Sequence, residues 1–392
     1  MIDSFIDTSI QHKHILHKYS FNKIYDNMMK LVEENYITCN KNYLDDSKLE
    51  IFCYNKKCVY DKHWNDFSMS ARGLVLCPER KKIIGLPFSK FFNYGEFKHE
   101  ELEDNSFEPE FEISNKVDGS LGIIFYYNNK WQVSTKRTFY SDQALEAQKI
   151  LEKKWTLSNE KYGYHKFVDK SYTYLVEIVY PENKNVIDYQ KVRDLFYLSS
   201  YNNLTFVEMY GPTNGLGVVQ KIQYGKYNLK NFAKFSRKIP GSQEGFVIKF
   251  KDYKDGLRLK FKGDEYLRLT KIRSGITPLG VWNILRKMDN LDNIRIDLDE
   301  ELLASFNELV GVFNKKFSDQ IEYIDSVHVK YKEVSDRDVG MKIKYGDINK
   351  LDGKIIFLCR KDNLMTECYK EGKLRDFVFE MFRPDGNFLG EI

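Results

Sequence analysis

Apolar residues recur at helical spacing in the segment FNKIYDNMMKLVEE, which predicts a helix over residues 21–34. Short strands are expected next at 49–54 and 73–76. From about residue 111 the pattern turns to alternation, with strands predicted at 111–116, 121–127 and 131–136, separated by the turn-forming pairs Asp118-Gly119 and Asn128-Asn129. A helix over 141–153 interrupts this meander. Strands follow at 172–180, 195–201, 205–210, 245–250 and 257–262, with a helix near 228–237 between them. Beyond about 270 the periodicity is helical, in segments 301–317, 319–332 and 369–382. The pattern is that of an α+β fold dominated by antiparallel strands, followed by a smaller all-α C-terminal domain. A boundary is expected near 267–277, dividing the chain into domains 1–270 and 271–392.

Composition agrees with a folded chain of about two domains: 392 residues, 42% hydrophobic and 15% aromatic, with charges interspersed. Apolar runs such as 355–358 are far too short to cross a bilayer, so no membrane association is expected. Residues 1–11 carry polar and acidic side chains where a secretory signal needs a basic start and an apolar stretch, which predicts an intracellular, cytoplasmic protein. Six cysteines (Cys39, Cys53, Cys58, Cys77, Cys359, Cys368) form no C-x-x-C pair and are read as reduced. His63, His99, His165 and His328 show no ligand spacing, so no metal cage is expected. The net charge of +4 is the small difference between 61 basic and 57 acidic residues, which leaves room for local basic surfaces. Lys153-Lys154 and the stretch 226–237 are such surfaces, equally compatible with tracking a phosphate backbone and with a solvated face.

The chemistry centres on Lys116-Val117-Asp118-Gly119-Ser120, a lysine at the end of an apolar strand followed by a tight turn. Alone, K-x-D-G occurs by chance in about one chain of this length in ten. A second copy, Lys350 to Gly353, lies in the helical region without companions and is read as the chance match. The first copy has company in chain order: the F-x-Y-N of Phe52 to Asn55, Arg72-Gly73, Lys90-Phe91-Phe92-Asn93, Lys136, Glu177, Glu244-Gly245-Phe246-Val247, and Lys260 with Lys262. Together these resemble the covalent nucleotidyltransferases, and within them the T-even phage RNA ligase 1 family that repairs broken tRNA. The resemblance covers roughly residues 50–270.

That family implies an antiparallel-sheet nucleotidyltransferase domain, ATP-grasp-like among ligases, with the helical tail recognising substrate. It implies an ATP-dependent RNA ligase that passes AMP from ATP to Lys116, then to an RNA 5′-phosphate, and finally seals with a 3′-hydroxyl. The partners implied are RNA ends, cleaved tRNA among them, and a separate end-healing kinase or phosphatase; for a viral protein the compartment implied is the host cytoplasm. The cofactors implied are ATP as substrate and Mg²⁺ or Mn²⁺. Arg72 and Lys90 are expected to face the departing β- and γ-phosphates, with Tyr54 beside them and Lys136 also in the site.

Chemistry adds reasons for these residue types. A lysine that attacks phosphorus must be neutral, and nearby cations depress its pKa. Lys260 and Lys262 flank Phe261, so both project to one strand face, where they can bear on Lys116 and on phosphates. Phosphoryl transfer is mostly positioning plus fixed positive charge. Glu244 is the expected carboxylate for the metal, Glu177 for a ribose hydroxyl, and Val247 for the adenine face. Gly119 and Gly245 allow close backbone approach, and Asp118 is expected to orient the turn. The alternatives left open are a DNA ligase, a GTP-dependent capping guanylyltransferase, and a non-catalytic RNA-binding protein with a vestigial pocket.

Overall fold

The computed structural model describes residues 12–44, 47–96, 110–157, 168–183, 186–210, 215–222, 228–251, 256–287, 290–298, 300–361 and 373–384. The chain divides into two compact units, Met1–Thr270 and Lys271–Ile392. The first is α+β and is built on three sheets.

The first sheet has order β1-β2-β3-β4, formed by Ile37–Leu44, Ser47–Tyr54, Arg72–Cys77 and Lys82–Gly85, all antiparallel. The third contains β5 (Phe92–Asn93) and β6 (Phe111–Lys116). The second begins with β7 (Ser120–Tyr127), β8 (Lys130–Ser134), β9 (Tyr172–Val179) and β10 (Asp194–Asn202). The short strands β11 (Glu208–Met209) and β12 (Gly217–Val218) both pair with β10, the latter in parallel. Completing the third sheet are β13 (Lys221–Ile222), β14 (Gly245–Phe250) and β15 (Arg258–Lys262), in the order β13-β6-β14-β15-β5.

Local chemistry explains several of these elements. Asn128 and Asn129 both take left-handed backbone, φ 46° and 61°, and so close the β7–β8 hairpin with the twist that flanking strands require. On β7, Leu121, Ile123, Phe125 and Tyr127 enter one core while Ile124 enters another, because sheet two is covered on both faces. The first core joins β7 to sheet one and to the helix Phe21–Glu33, whose Ile24, Met28 and Leu31 are buried at helical spacing behind a Ser20 N-cap. The second lies under the helix Asp142–Glu152 and includes the fully buried Trp155. A third joins sheet three to the helix Leu229–Arg237 through Phe232, Phe246, Phe250 and Phe261.

The structure departs from the sequence expectations in several places, among them these. The strand β1 escaped prediction because its polar run Cys39-Asn40-Lys41-Asn42 suits an edge, where one side needs no apolar partner. The strand expected at 131–136 stops at Ser134. The strand expected at 205–210 shrinks to Glu208–Met209, because Asn202 Oδ1 accepts from the amides of Leu204 and Thr205, and Phe206 takes φ 61°, making a turn instead. The helices expected at 301–317 and 319–332 run on as one, Glu300–Tyr331.

The second unit is entirely helical among its described residues. Trp282 and Phe306, with Phe313 and Phe379, form one core of this unit, and Ile324, Val339 and Ile355 belong to another. The indole N–H of Trp282 donates to the Phe379 carbonyl at 3.0 Å, satisfying a buried donor. The second K-x-D-G opens the helix Lys350–Lys361, with Asn349 Oδ1 accepting from the Asp352 amide at 2.7 Å; it is a helix start. No described helix is long and apolar enough to cross a membrane. Among the described residues Cys39, Cys53, Cys58, Cys77 and Cys359 form no disulfide, while Cys368, His99 and His165 lie outside the described residues.

Candidate active site

Register places the charged residues before any side-chain contact is considered. In sheet three Gly245 pairs with Lys116 on one side and with Lys262 on the other. The next row on the same face is Ser114, Val247 and Lys260, and beyond Lys260 lies Asn93 of β5. Two lysines thus flank a glycine, and the row has no side chain in its middle. Gly245 sits at φ 152°, and a Cβ there would lie 1.9 Å from the Phe261 carbonyl oxygen and 2.9 Å from Lys262 Cα. Only glycine lets β14 and β15 approach this closely.

Glu244 precedes this row and is buried. Its Oε2 accepts from Lys116 Nζ at 2.8 Å and its Oε1 pairs with Lys262 Nζ at 3.1 Å. One carboxylate therefore bridges the two lysines. The charge nearest Lys116 is thus an acid, and Lys260 close by is held far below its ordinary range. Burial, with Arg72, Lys116, Lys90 and Lys262 around it, pushes Lys260 down to about 7. All five expected catalytic cations thus share one electrostatic neighbourhood.

Lys90 is 5% exposed, and its ammonium lies 4.6 Å from the Phe92 ring centroid, 4.8 Å from Trp64 and 5.6 Å from Tyr54. Three aromatic faces stabilise a buried cation here. Of these rings, Trp64 was not singled out in the sequence; a tryptophan in a loop carries no local signal, and only folding brings it to Lys90. Arg72 opens β3, with its guanidinium 5.8 Å from the Phe91 ring. Phe91 also lies 5.1 Å from Lys260 Nζ, so Phe91 serves as a wall between two cations. Lys136 lies past the end of β8 and is exposed, with its Cα near Gly73.

The K-x-D-G turn carries the chain from sheet three to sheet two, since Lys116 ends β6 and Ser120 begins β7. Asp118 anchors it. Its Oδ2 accepts from the amides of Val186 and Ile187 at 2.9 and 3.0 Å, its Oδ1 from the Tyr266 hydroxyl at 3.0 Å, and its own amide donates to the Tyr189 hydroxyl at 2.8 Å. Tyr189 and Tyr266 also carried no signal in the sequence, because they act through a residue 71 and 148 positions away. Gly119 packs against β9: a Cβ would come 2.5 Å from the Ile178 carbonyl and 3.0 Å from Glu177 Cγ. Burial pushes the Glu177 carboxyl up to about 7 against the pull of Lys116, with Glu244 reinforcing the rise.

The donor set suits a hard cation held in part by a ligand. Among the described residues no group of three His, Cys, Asp or Glu side chains forms a metal cage. Glu244 and Glu177 are two carboxylates in one neighbourhood, the number magnesium uses when substrate phosphates and water supply the remaining oxygens.

The family model described as RNA ligase matches residues 70–266, which includes every feature above except Tyr54 and Trp64. Among curated proteins, a candidate bifunctional polynucleotide kinase/RNA ligase of Autographa californica nuclear polyhedrosis virus is 25% identical over 264 residues, 60% of this chain and 36% of that protein. The chain thus spans about a third of that relative's length. An RNA ligase of Rhodothermus phage RM378 is 22% identical over 359 residues, 74% of this chain and 78% of the relative. A solved archaeal ATP-dependent RNA ligase aligns with 80% of this chain and 83% of its own at 13% identity and a TM-score of 0.45.

Proposed function

The chain belongs to the RNA ligase family of the phage T4 RNA ligase 1 type, and from that premise we propose that it is an ATP-dependent RNA ligase with Lys116 as its covalent nucleophile. The observation that carries the reading is the Lys116–Gly245–Lys262 row bridged by Glu244, with Arg72, Lys90 and Lys260 gathered around it. Such a density of cations, one buried and the others partly so, is costly unless an anion completes it. A triphosphate is the anion that fits.

In the first step the Lys116 amine attacks the α-phosphorus of ATP; an N–P bond forms, the bond to the β-phosphate oxygen breaks, and pyrophosphate leaves with its charge compensated by Arg72, Lys90 and Lys260. Lys116 must first leave its ion pair with Glu244 and give up a proton. When bound, Mg²⁺ supplies further neutralisation of phosphate charge, with Glu244 and Glu177 as the carboxylates that would hold it. In this reading Glu177, on β9, takes a ribose hydroxyl, Val247, on β14, meets adenine, and Tyr54 and Lys136 are assigned to the nucleotide's surroundings. In the second step an RNA 5′-phosphate oxygen displaces Lys116 from phosphorus, and the lysine leaves as the amine. In the third a 3′-hydroxyl attacks the activated 5′-phosphate and AMP departs. The same cations serve all three steps because the developing charge returns to one place.

The substrate is RNA with 5′-phosphate and 3′-hydroxyl ends, cleaved tRNA among them, prepared where needed by a separate kinase or phosphatase. The helical unit is assigned to substrate recognition. A host cytoplasm is the compartment consistent with viral relatives. The test is incubation with Mg²⁺ and α-labelled ATP or GTP, then denaturing electrophoresis and acid treatment. Acid-labile label from ATP, absent in Lys116→Ala, supports the reading, while Lys116→Ala still seals a pre-adenylylated RNA. Label from GTP alone moves the reading to capping, and no label at all refutes it.

A further inference from the structure

Beyond the two rows of sheet three that hold Lys116, Lys262 and Lys260, alternation puts a third row on the same face: Lys249 of β14 directly opposite Arg258 of β15. Two like charges opposite each other on neighbouring strands repel unless an anion lies between them. Here the anion comes from the other sheet. Glu208 of β11, its side chain 4% exposed, pairs with the Arg258 guanidinium through Oε1 and with Lys249 Nζ at 3.2 Å through Oε2. Its carboxylate also accepts from the Ser199 hydroxyl at 2.6 Å and the Tyr201 hydroxyl at 3.4 Å, both on β10, while its amide donates to the His12 carbonyl at 2.8 Å. A carboxylate therefore bridges two cations at each end of this face, Glu244 at one and Glu208 at the other. Lys260 stands in the row between them, and among the described residues no carboxylate pairs with it.

The same contacts reach the segment that carries Lys90. The Arg258 guanidinium lies 4.7 Å from the centroid of the buried Phe88 ring. Phe88 meets Phe91 edge to face at 6.2 Å, and the Phe91 centroid is 5.1 Å from Lys260 Nζ. Farther along, the Tyr94 amide donates to the Lys260 carbonyl at 2.9 Å. Lys90 is thus carried on a stretch, 88–94, that is fastened to β15 on both sides of it, once through the Arg258 side chain and once through the backbone. Arg258 itself is one strand repeat, about 6.6 Å, from Lys260.

We propose that Glu208 and Arg258 are positioning residues for lysyl-AMP formation: their ion pair, with Phe88 against the guanidinium, fixes Lys260 and Lys90 relative to each other and keeps Arg258 and Lys249 from drawing the phosphates one row too far. Phosphoryl transfer depends on placement, and a displacement of about 1 Å is enough to cost about 100-fold. Without the carboxylate, Arg258 and Lys249 stand uncompensated beside Lys260 and compete for the triphosphate. ATP is then held no more weakly, but out of line with Lys116. The inference rests on the ligase reading and deepens it, because it names residues that govern the reaction without touching the nucleotide.

The experiment follows lysyl-AMP formation by the full chain in single turnover with Mg²⁺ and α-labelled ATP; the amplitude reports the fraction folded, the rate constant the chemistry, and its dependence on ATP concentration the apparent KM. Glu208→Gln should lower the rate constant by about 10- to 100-fold while the KM rises by no more than about twofold. Phe88→Leu keeps an apolar side chain but removes the ring from the guanidinium, and should lower the rate constant by about 3- to 30-fold, the worth of one cation–π contact. Ile150→Ala, in the core under the helix Asp142–Glu152, is the control for lost stability alone: it should melt earlier with an unchanged rate constant. A rate constant within about twofold of wild type in Phe88→Leu overturns the inference even where Glu208→Gln fails to fold. So does a KM that rises in step with the fall in rate, or an Ile150→Ala protein slowed as much. Wild-type protein that takes no label overturns instead the ligase reading beneath it.

Discussion

Lys260 offers the sharpest check on the electrostatics of the site, because its ammonium is held down to about 7 by burial and by four neighbouring cations. A bound triphosphate reverses both causes, since it supplies anionic partners and offsets Arg72, Lys90, Lys116 and Lys262, so Lys260 returns toward its usual value of about 10.4. At pH 8 a group with a pKa near 7 is only about one-tenth protonated, and in the complex it is fully protonated; binding should therefore take up about 0.9 proton. At pH 6 the same lysine is already about nine-tenths charged and the uptake falls to about 0.1. The measurement is titration calorimetry with ATP in the absence of divalent metal, in two buffers of different ionisation enthalpy, whose difference counts protons. At pH 8 the terminal phosphate, with a second pKa near 6, is already ionised and contributes little. Glu177, also near 7, is a second contributor. Lys260→Arg isolates the lysine's share, because a guanidinium keeps the charge and does not titrate. Equal proton uptake by wild type and Lys260→Arg would refute the reasoning, as would the absence of buffer dependence at pH 8.

Other outcomes follow from the same geometry. Gly245→Ala should cost on the order of 3 kcal/mol or more, because its Cβ meets the β15 backbone at 1.9 Å and the glycine has φ 152°; urea denaturation near wild-type stability with normal lysine labelling would contradict this. Asp118→Asn should slow labelling and cost about 1–3 kcal/mol, since an amide cannot accept from Val186, Ile187 and Tyr266 through both of its heavy atoms; a wild-type labelling rate would argue against its orienting role. Glu208 is buried with Arg258 and Lys249; burial raises its carboxyl, but the two cations outweigh that and hold it at about 2. Glu208→Gln should therefore lose about 3–5 kcal/mol at pH 7, read from the denaturation midpoint. Its folded pKa is below its unfolded one, so its contribution is complete above about pH 5 and is lost as pH falls toward 2. Burial also lowers His14 to about 3, so its contribution fades earlier, by about 2 kcal/mol from pH 7 to pH 5, and a His14→Gln protein should lack that part of the acid sensitivity.

Much of the architecture was legible locally. Alternation and turn pairs marked β6, β7, β14 and β15 within a residue or so, and the N-cap residues Ser20, Ser141 and Asn228 stand where helices begin. These signals are short-range, being set by a strand's two faces or a helix's first turn. Elements lacking such a signal were missed or overdrawn: the polar edge strand β1, and the turn at Asn202 to Phe206 that replaced most of a predicted strand.

For the site, the sequence by itself determined the inventory: a lysine before a tight turn, alternating lysines on a strand, a Glu-Gly pair, and an Arg-Gly and a K-F-F-N upstream. Spacing along the chain could not say which of these charges meet. Tertiary structure decided that Glu244 bridges Lys116 and Lys262, that burial among cations lowers the pKa of Lys260, and that Trp64, Tyr189 and Tyr266 support Lys90 and Asp118. The reason is physical: hydrogen bonds, cation–π contacts and desolvation act over a few ångströms in space, and strand pairing brings those ångströms together from positions more than a hundred residues apart.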